Sequence, residues 1–121
     1  MSSVYEQLGG QPFFDALAHR FYERVGADPV LRPLYPDDLG PGERHLAQFL
    51  AQYWGGPTTY SDERGHPRLR MRHAPFVIGP AQRDAWYGAM AASVAESGAP
   101  AELQQQLLDY FTMAADHLVN E

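Results

Sequence analysis

Gln52-Tyr53-Trp54-Gly55-Gly56-Pro57, followed by Thr59-Tyr60-Ser61 and then Gly65-His66-Pro67-Arg68-Leu69-Arg70-Met71-Arg72-His73-Ala74-Pro75-Phe76, is the stretch on which the fold turns. Gly55-Gly56-Pro57 ends a helix, because glycine lends the left-handed turn that stops it and proline cannot continue it. Residues 54–68 then read as a connection rich in Gly, Pro, Thr and Ser. A connection of that length inside a small domain usually serves function. Leu69 to His73 can make one or two helical turns, which end near Pro75. Outward from this centre the chain is helical. Upstream, Pro41 opens a helix with Leu46, Phe49, Leu50 and Tyr53 on one face. Before it, Pro12 opens a helix whose stripe is Phe14, Leu17, Ala18, Phe21, Tyr22 and Val25, the i, i+3, i+4, i+7 pattern. Asp28-Pro29 reads as a cap and first position of a short helix over Val30 to Leu34. Downstream, Gly79-Pro80 starts a helix that buries Ala85, Trp86, Ala89, Met90, Ser93 and Val94. Beyond Gly98 and Pro100, Leu103, Leu107, Tyr110, Phe111, Ala114 and Leu118 form the last stripe. No segment alternates as a strand would. The expectation is an all-α fold, whose apolar stripes need one another for burial.

Composition narrows the chemistry. The chain has 121 residues, 45% hydrophobic and 20% charged, with a formal net charge of −6. That length suits one domain over 1–121. An acidic surface argues against general binding to nucleic acid or anionic membrane. The absence of Cys excludes disulfides, thiolate metal sites and a thiol nucleophile. All nine basic residues are Arg, so lysine Schiff-base chemistry and a phosphate-loop lysine are excluded as well. No apolar run is long enough to span a membrane, and Met1 to Glu6 lacks the pattern of a signal peptide, so a cytoplasmic protein is expected.

Few constellations remain. Five histidines are present, at 19, 45, 66, 73 and 117, with no pair four residues apart on a helix. Glu63-x-x-His66 has a di-iron spacing, but Gly65 and Pro67 oppose a helix there and no second copy exists. Arg68, Arg70 and Arg72 alternate with apolar residues and lead into His73. The run could contact phosphate or RNA, which the acidic chain makes a minor reading, and His73 could be a surface residue. A planar dianionic cofactor is the other option. Haem takes an imidazole on its iron, an apolar slot for its ring and cations for its two carboxylates. Tyr22, Tyr35 and Trp86 add to this. Each carries a donor that costs ~1–3 kcal/mol if buried without a partner, a cost that a hydrogen-bond-accepting ligand removes.

On these residues, together with Arg20-Phe21-Tyr22-Glu23-Arg24-Val25, Leu34-Tyr35-Pro36 and Asp84-Ala85-Trp86, the chain resembles the truncated haemoglobins, and within them the bacterial group II or O-type. The resemblance runs from Tyr5 to Asn120. It implies a truncated globin fold, a 2-over-2 sandwich of two helix pairs, with haem b (iron protoporphyrin IX) as cofactor. It implies His73 as the proximal iron ligand and Arg72 as a propionate partner, with Tyr60, His66 and Arg70 as further candidates for that rim. Tyr22, Tyr35 and Trp86 would surround bound ligand, with Leu46 and Phe49 as the distal wall. Gly42 stands where many globins carry a distal histidine, which implies an open route inward. His45 is expected to face solvent or a propionate. Tyr35 departs from the Phe of many group II members and adds a donor.

The function so implied is binding of O2 and other diatomic ligands, in support of redox chemistry: NO dioxygenation, peroxidase-like turnover or peroxynitrite detoxification. Partners would be O2, NO, CO and peroxides, with a separate reductase, since no flavin- or NAD-binding motif is present. A homodimer is compatible with the sequence. The alternatives are an oxygen carrier, store or gas sensor without turnover, and a helical interaction module with a degenerate haem site.

Overall fold

The computed structural model describes residues 2–66 and 76–120. His73, Arg72 and Arg70, with the helical turns expected at Leu69 to His73, lie outside the described residues. Within them the elements are α1 (Val4–Gln7), α2 (Gln11–Ala27), a 3-10 helix (Arg32–Leu34), α3 (Gly40–Tyr53), α4 (Thr59–Arg64), α5 (Pro80–Ala95) and α6 (Ala101–Leu118). No strand occurs among the described residues, as the periodicity requires.

Prolines and glycines set the boundaries. Gly10, with φ of 84°, caps α2, and proline occupies the first turn of α2, α3 and α5, where a missing N–H costs nothing. The six stripe residues of α2 are the six that it buries. Asp28 accepts from the backbone N–H of Val30 at 2.8 Å and of Leu31 at 3.2 Å. It therefore caps as expected, although the segment is a turn that tightens into a 3-10 helix.

α2 packs on α3, α5 packs on α6, and α2 crosses α5, so two helix pairs stack on one another. This is the 2-over-2 arrangement. Phe14, Leu17, Phe21, Val25, Leu50, Met90, Leu107 and Phe111 form the sealed centre. Arg24 ties the layers at one edge through an ion pair to Glu96 at 2.8 Å.

Two expectations change. The connection at 54–68 contains α4, held against α3 by Gln52, whose amide accepts from Ser61 N–H at 3.0 Å and donates to Ser61 Oγ at 2.7 Å. On α3 the buried residues are Ala47, Leu50 and Ala51. Leu46 and Phe49 are only half-buried, because they face a cavity, and Tyr53, expected on the buried face, is 49% exposed at the helix end. Past α6 the chain returns to residues 76–78. Asn120 accepts from Ile78 N–H at 2.9 Å and donates to the Phe76 carbonyl at 2.8 Å.

Candidate functional site

Between the helix pairs lies a cavity of about 230 Å3, lined among others by Tyr22 from α2, Leu46 and Phe49 from α3, Trp86 from α5, and Tyr110 and Phe111 from α6. A second cavity of about 530 Å3 adjoins it beside the 3-10 helix and shares Tyr35, Gly42, Arg64, Trp86 and Leu118 as wall. Space of this size suits a ligand far larger than a gas molecule.

The three expected donors converge here. Tyr22 and Tyr35 meet edge-to-face with ring centroids 5.6 Å apart, and Phe21 braces Trp86 at 5.8 Å. Tyr35 follows the 3-10 helix and is placed by Arg32, whose guanidinium donates to the carbonyls of Tyr35, Pro36 and Asp37 at 3.2, 3.0 and 3.1 Å. The Trp86 side chain lies beside Tyr35, close enough to oppose the rise in its pKa. An indole N–H can only donate, so Trp86 takes no proton from Tyr35.

Burial sets the protonation of both phenols. Removal from water, followed by the negative charge of Glu43, pushes the Tyr22 pKa up to about 12. Burial and then the neighbouring Tyr22 push that of Tyr35 up further, against the opposing effect of Trp86. Both remain neutral donors at physiological pH. Among the described residues, neither donates its proton to a protein acceptor.

Gly42 corrects the expectation of an open route. A Cβ at this position would stand 2.7 Å from the Tyr22 hydroxyl oxygen. The space that a distal side chain would occupy is filled by the phenol itself.

The remaining candidates divide. Tyr60, on α4, is buried, lines the first cavity and packs edge-to-face on Phe49 at 5.5 Å. His66 is exposed and lines neither cavity. His45, expected to face solvent or a propionate, is half-buried on the cavity wall, its Nε2 3.4 Å from the Arg64 guanidinium. Arg64 reaches both cavities and lies over the Tyr60 ring at 5.9 Å. Sequence reasoning missed it because α4 went unread. It also read Tyr110 and Phe111 only as stripe residues of the last helix, although both form cavity wall. His19 and His117 are exposed, and His19 pairs with Glu23 at 2.8 Å and Glu43 at 3.3 Å.

The residues present fit haem. Leu46, Phe49, Leu50 and Phe111 offer apolar walls to a flat macrocycle, Arg64 brings a cation that its carboxylates would need, and the two phenols bring donors without protein acceptors among the described residues. Among the described residues no cluster of three His, Cys, Asp or Glu could hold a separate metal ion. No helix among them is long and apolar enough to cross a membrane.

Known proteins agree with this geometry. The family described as Bacterial-like globin matches residues 3–120. The hemoglobin of the thermophilic phototrophic bacterium Chloroflexus aurantiacus is similar at 51% identity, covering 100% of both chains with a TM-score of 0.98. A thermostable hemoglobin from the actinobacterium Thermobifida fusca is similar at 56% identity over 98% of both chains, with a TM-score of 0.96. Group 2 truncated hemoglobin YjbI of Bacillus subtilis is 40% identical over 120 residues, 99% of this chain and 90% of its own. Haemoglobins of this family bind haem, in the b form, and diatomic gases, oxygen among them. The chain belongs to the bacterial-like globin family, among its group II truncated haemoglobins.

Proposed function

We propose that residues 1–121 act as one haem-binding unit that holds oxygen at Tyr22, Tyr35 and Trp86 and uses it in redox chemistry, with nitric oxide dioxygenation as the leading reaction. Haem supplies the iron that binds a diatomic gas and exchanges electrons. His73 would be its proximal imidazole. Arg72 and Arg70, beside it in sequence, and Arg64 and His45, on the cavity wall, are the groups for its carboxylates.

The observation that carries the reading is the pair of buried phenols, neutral at physiological pH, with no protein acceptor among the described residues. Trp86 beside it can only donate, so the Tyr35 proton is free to turn to a ligand. Donors fixed in advance stabilise negative charge on a ligand without reorganisation. Leu46, Phe49 and Phe111 keep the surroundings apolar, where such bonds are strongest.

Nitric oxide and dioxygen together take up one electron to give nitrate, so repeated turnover needs an electron donor. A separate reductase in the cytoplasm would supply it. Peroxide reduction is a second branch of the same chemistry, in which hydrogen peroxide takes two electrons and two protons to give two waters. The density of donors also favours a store or sensor without turnover, since tight hydrogen bonding slows release. Stopped-flow mixing of the reduced, oxygen-saturated protein with nitric oxide separates the readings. Rapid stoichiometric nitrate, renewed after each reduction, supports dioxygenation. Slow reaction without nitrate supports the carrier.

A further inference from the structure

Glu43 follows Gly42 on α3, and the Tyr22 hydroxyl is seated against Gly42. The Glu43 side chain is 34% exposed, so water screens its charge only in part. Among the described residues, Glu43 is the charged group that acts on Tyr22, and its negative charge disfavours release of the phenol proton. A phenol that holds its proton more firmly is a weaker donor. Bound oxygen carries partial negative charge and is held best by a strong one. Glu43 therefore opposes the hold of Tyr22 on the ligand.

His19, three residues before Tyr22 on α2, touches that charge. Its Nδ1 lies 3.3 Å from Glu43 Oε2 and its Nε2 2.8 Å from Glu23 Oε1. Carboxylates only accept, so an imidazole bonded to both must carry a proton on each nitrogen and is then a cation. A neutral imidazole can donate to one of them alone and offsets the charge of neither. Among the described residues, α2 itself and α3 bring these charges to His19. The 3-10 helix and α5, which also pack on α2, bring none within ion-pair range. Around Tyr22 the first cavity adds His45, Arg64, Tyr35, Tyr60 and Tyr110 as charged or titratable groups.

We propose that Glu43 tunes oxygen release through Tyr22: its charge weakens the phenol as a donor, and an imidazolium at His19 cancels that effect. The proposal rests on the reading of Tyr22 as a donor to bound oxygen. It gives Glu43 a sign opposite to that of a structural support. Removing the charge strengthens the donor and slows release, whereas loosening the seat of Tyr22 would speed it. It also gives release a pH dependence. Acidification that protonates His19 slows release, and alkalinisation that removes the proton quickens it.

The test uses reduced, haem-loaded protein and stopped-flow displacement of oxygen by carbon monoxide, from about pH 5 to about pH 8, the range in which histidines change charge. At the alkaline end, Glu43→Gln, which keeps an oxygen for the His19 hydrogen bond, should release oxygen about twofold to fivefold more slowly than wild type, as partly exposed charges allow. The C–O stretching frequency of its carbon monoxide complex should be lower, the mark of a stronger donor. In a Tyr22→Phe background the same substitution should change release by less. Wild-type release should slow towards the acid end, and His19→Gln should flatten that slope. Thermal unfolding midpoints and haem spectra check that each variant is folded and loaded. Release from Glu43→Gln as fast as from wild type or faster, with Tyr22→Phe faster than wild type, overturns this proposal alone. Release from Tyr22→Phe at the wild-type rate overturns the reading of Tyr22 as a donor and this proposal with it.

Discussion

At position 42 an alanine Cβ would stand 2.7 Å from the Tyr22 hydroxyl oxygen and 3.2 Å from the ring carbon that bears it. The phenol must then move, and overpacking of this kind typically costs ~1–3 kcal/mol. Gly42→Ala is therefore expected to lower stability in urea unfolding by about that amount and to speed oxygen release, because a displaced hydroxyl no longer faces the ligand. Unchanged release kinetics would separate Gly42 from the position of Tyr22. The buried phenols also set an alkaline limit. The pKa values of Tyr22 and Tyr110 rise from 10.0 to about 12 on folding, so the native state favours their neutral forms. The stability from this source is complete below about pH 10, where phenols ionise in the unfolded chain, and is lost as pH climbs towards about 12. Urea midpoints should fall over that interval, and less steeply in Tyr110→Phe.

Helices with long stripes were legible because one periodicity governs both sequence and burial. Every predicted stripe residue of α2 is buried, and proline and glycine mark the starts of α2, α3 and α5. α4 was not legible. Its six residues, Thr59–Arg64, are too few for a repeating stripe, and the side chain that fixes it, Gln52, belongs to another helix. With α4 went Arg64, which reaches the cavity from its last position. Tyr22, Tyr35 and Trp86 stand out in the sequence because Tyr and Trp carry protons that a plain core does not need. The seat of Tyr22 against Gly42 does not, since an absent side chain says nothing about what fills its place. Gln52→Ala removes both bonds to Ser61, and the unpaired groups left behind should cost ~1–3 kcal/mol. Chemical denaturation should show that loss. Haem transfer to an acceptor apoglobin should be faster, because Tyr60 on α4 helps to line the cavity.

Across the whole molecule, two stacked helix pairs close around aromatic walls, and every helix of the sandwich contributes to the site. α2 brings Tyr22, α3 brings Gly42, Leu46 and Phe49, α5 brings Trp86, and α6 brings Tyr110 and Phe111. A globin sandwich explains why an acidic chain without cysteine or lysine holds a chamber with neutral phenol donors and arginine within reach. Trp86 joins the parts, since it contacts Phe21 at 5.8 Å and Phe111 at 6.0 Å and lies beside Tyr35. The most direct measurement is the oxygen dissociation rate of the reduced, haem-loaded protein, by stopped flow, for wild type, Tyr22→Phe and Trp86→Phe. If phenol and indole hold the ligand, each variant should release oxygen about tenfold faster or more, since a hydrogen bond to a charged group is worth ~1.5–3 kcal/mol. Release at the wild-type rate from both variants would contradict the account.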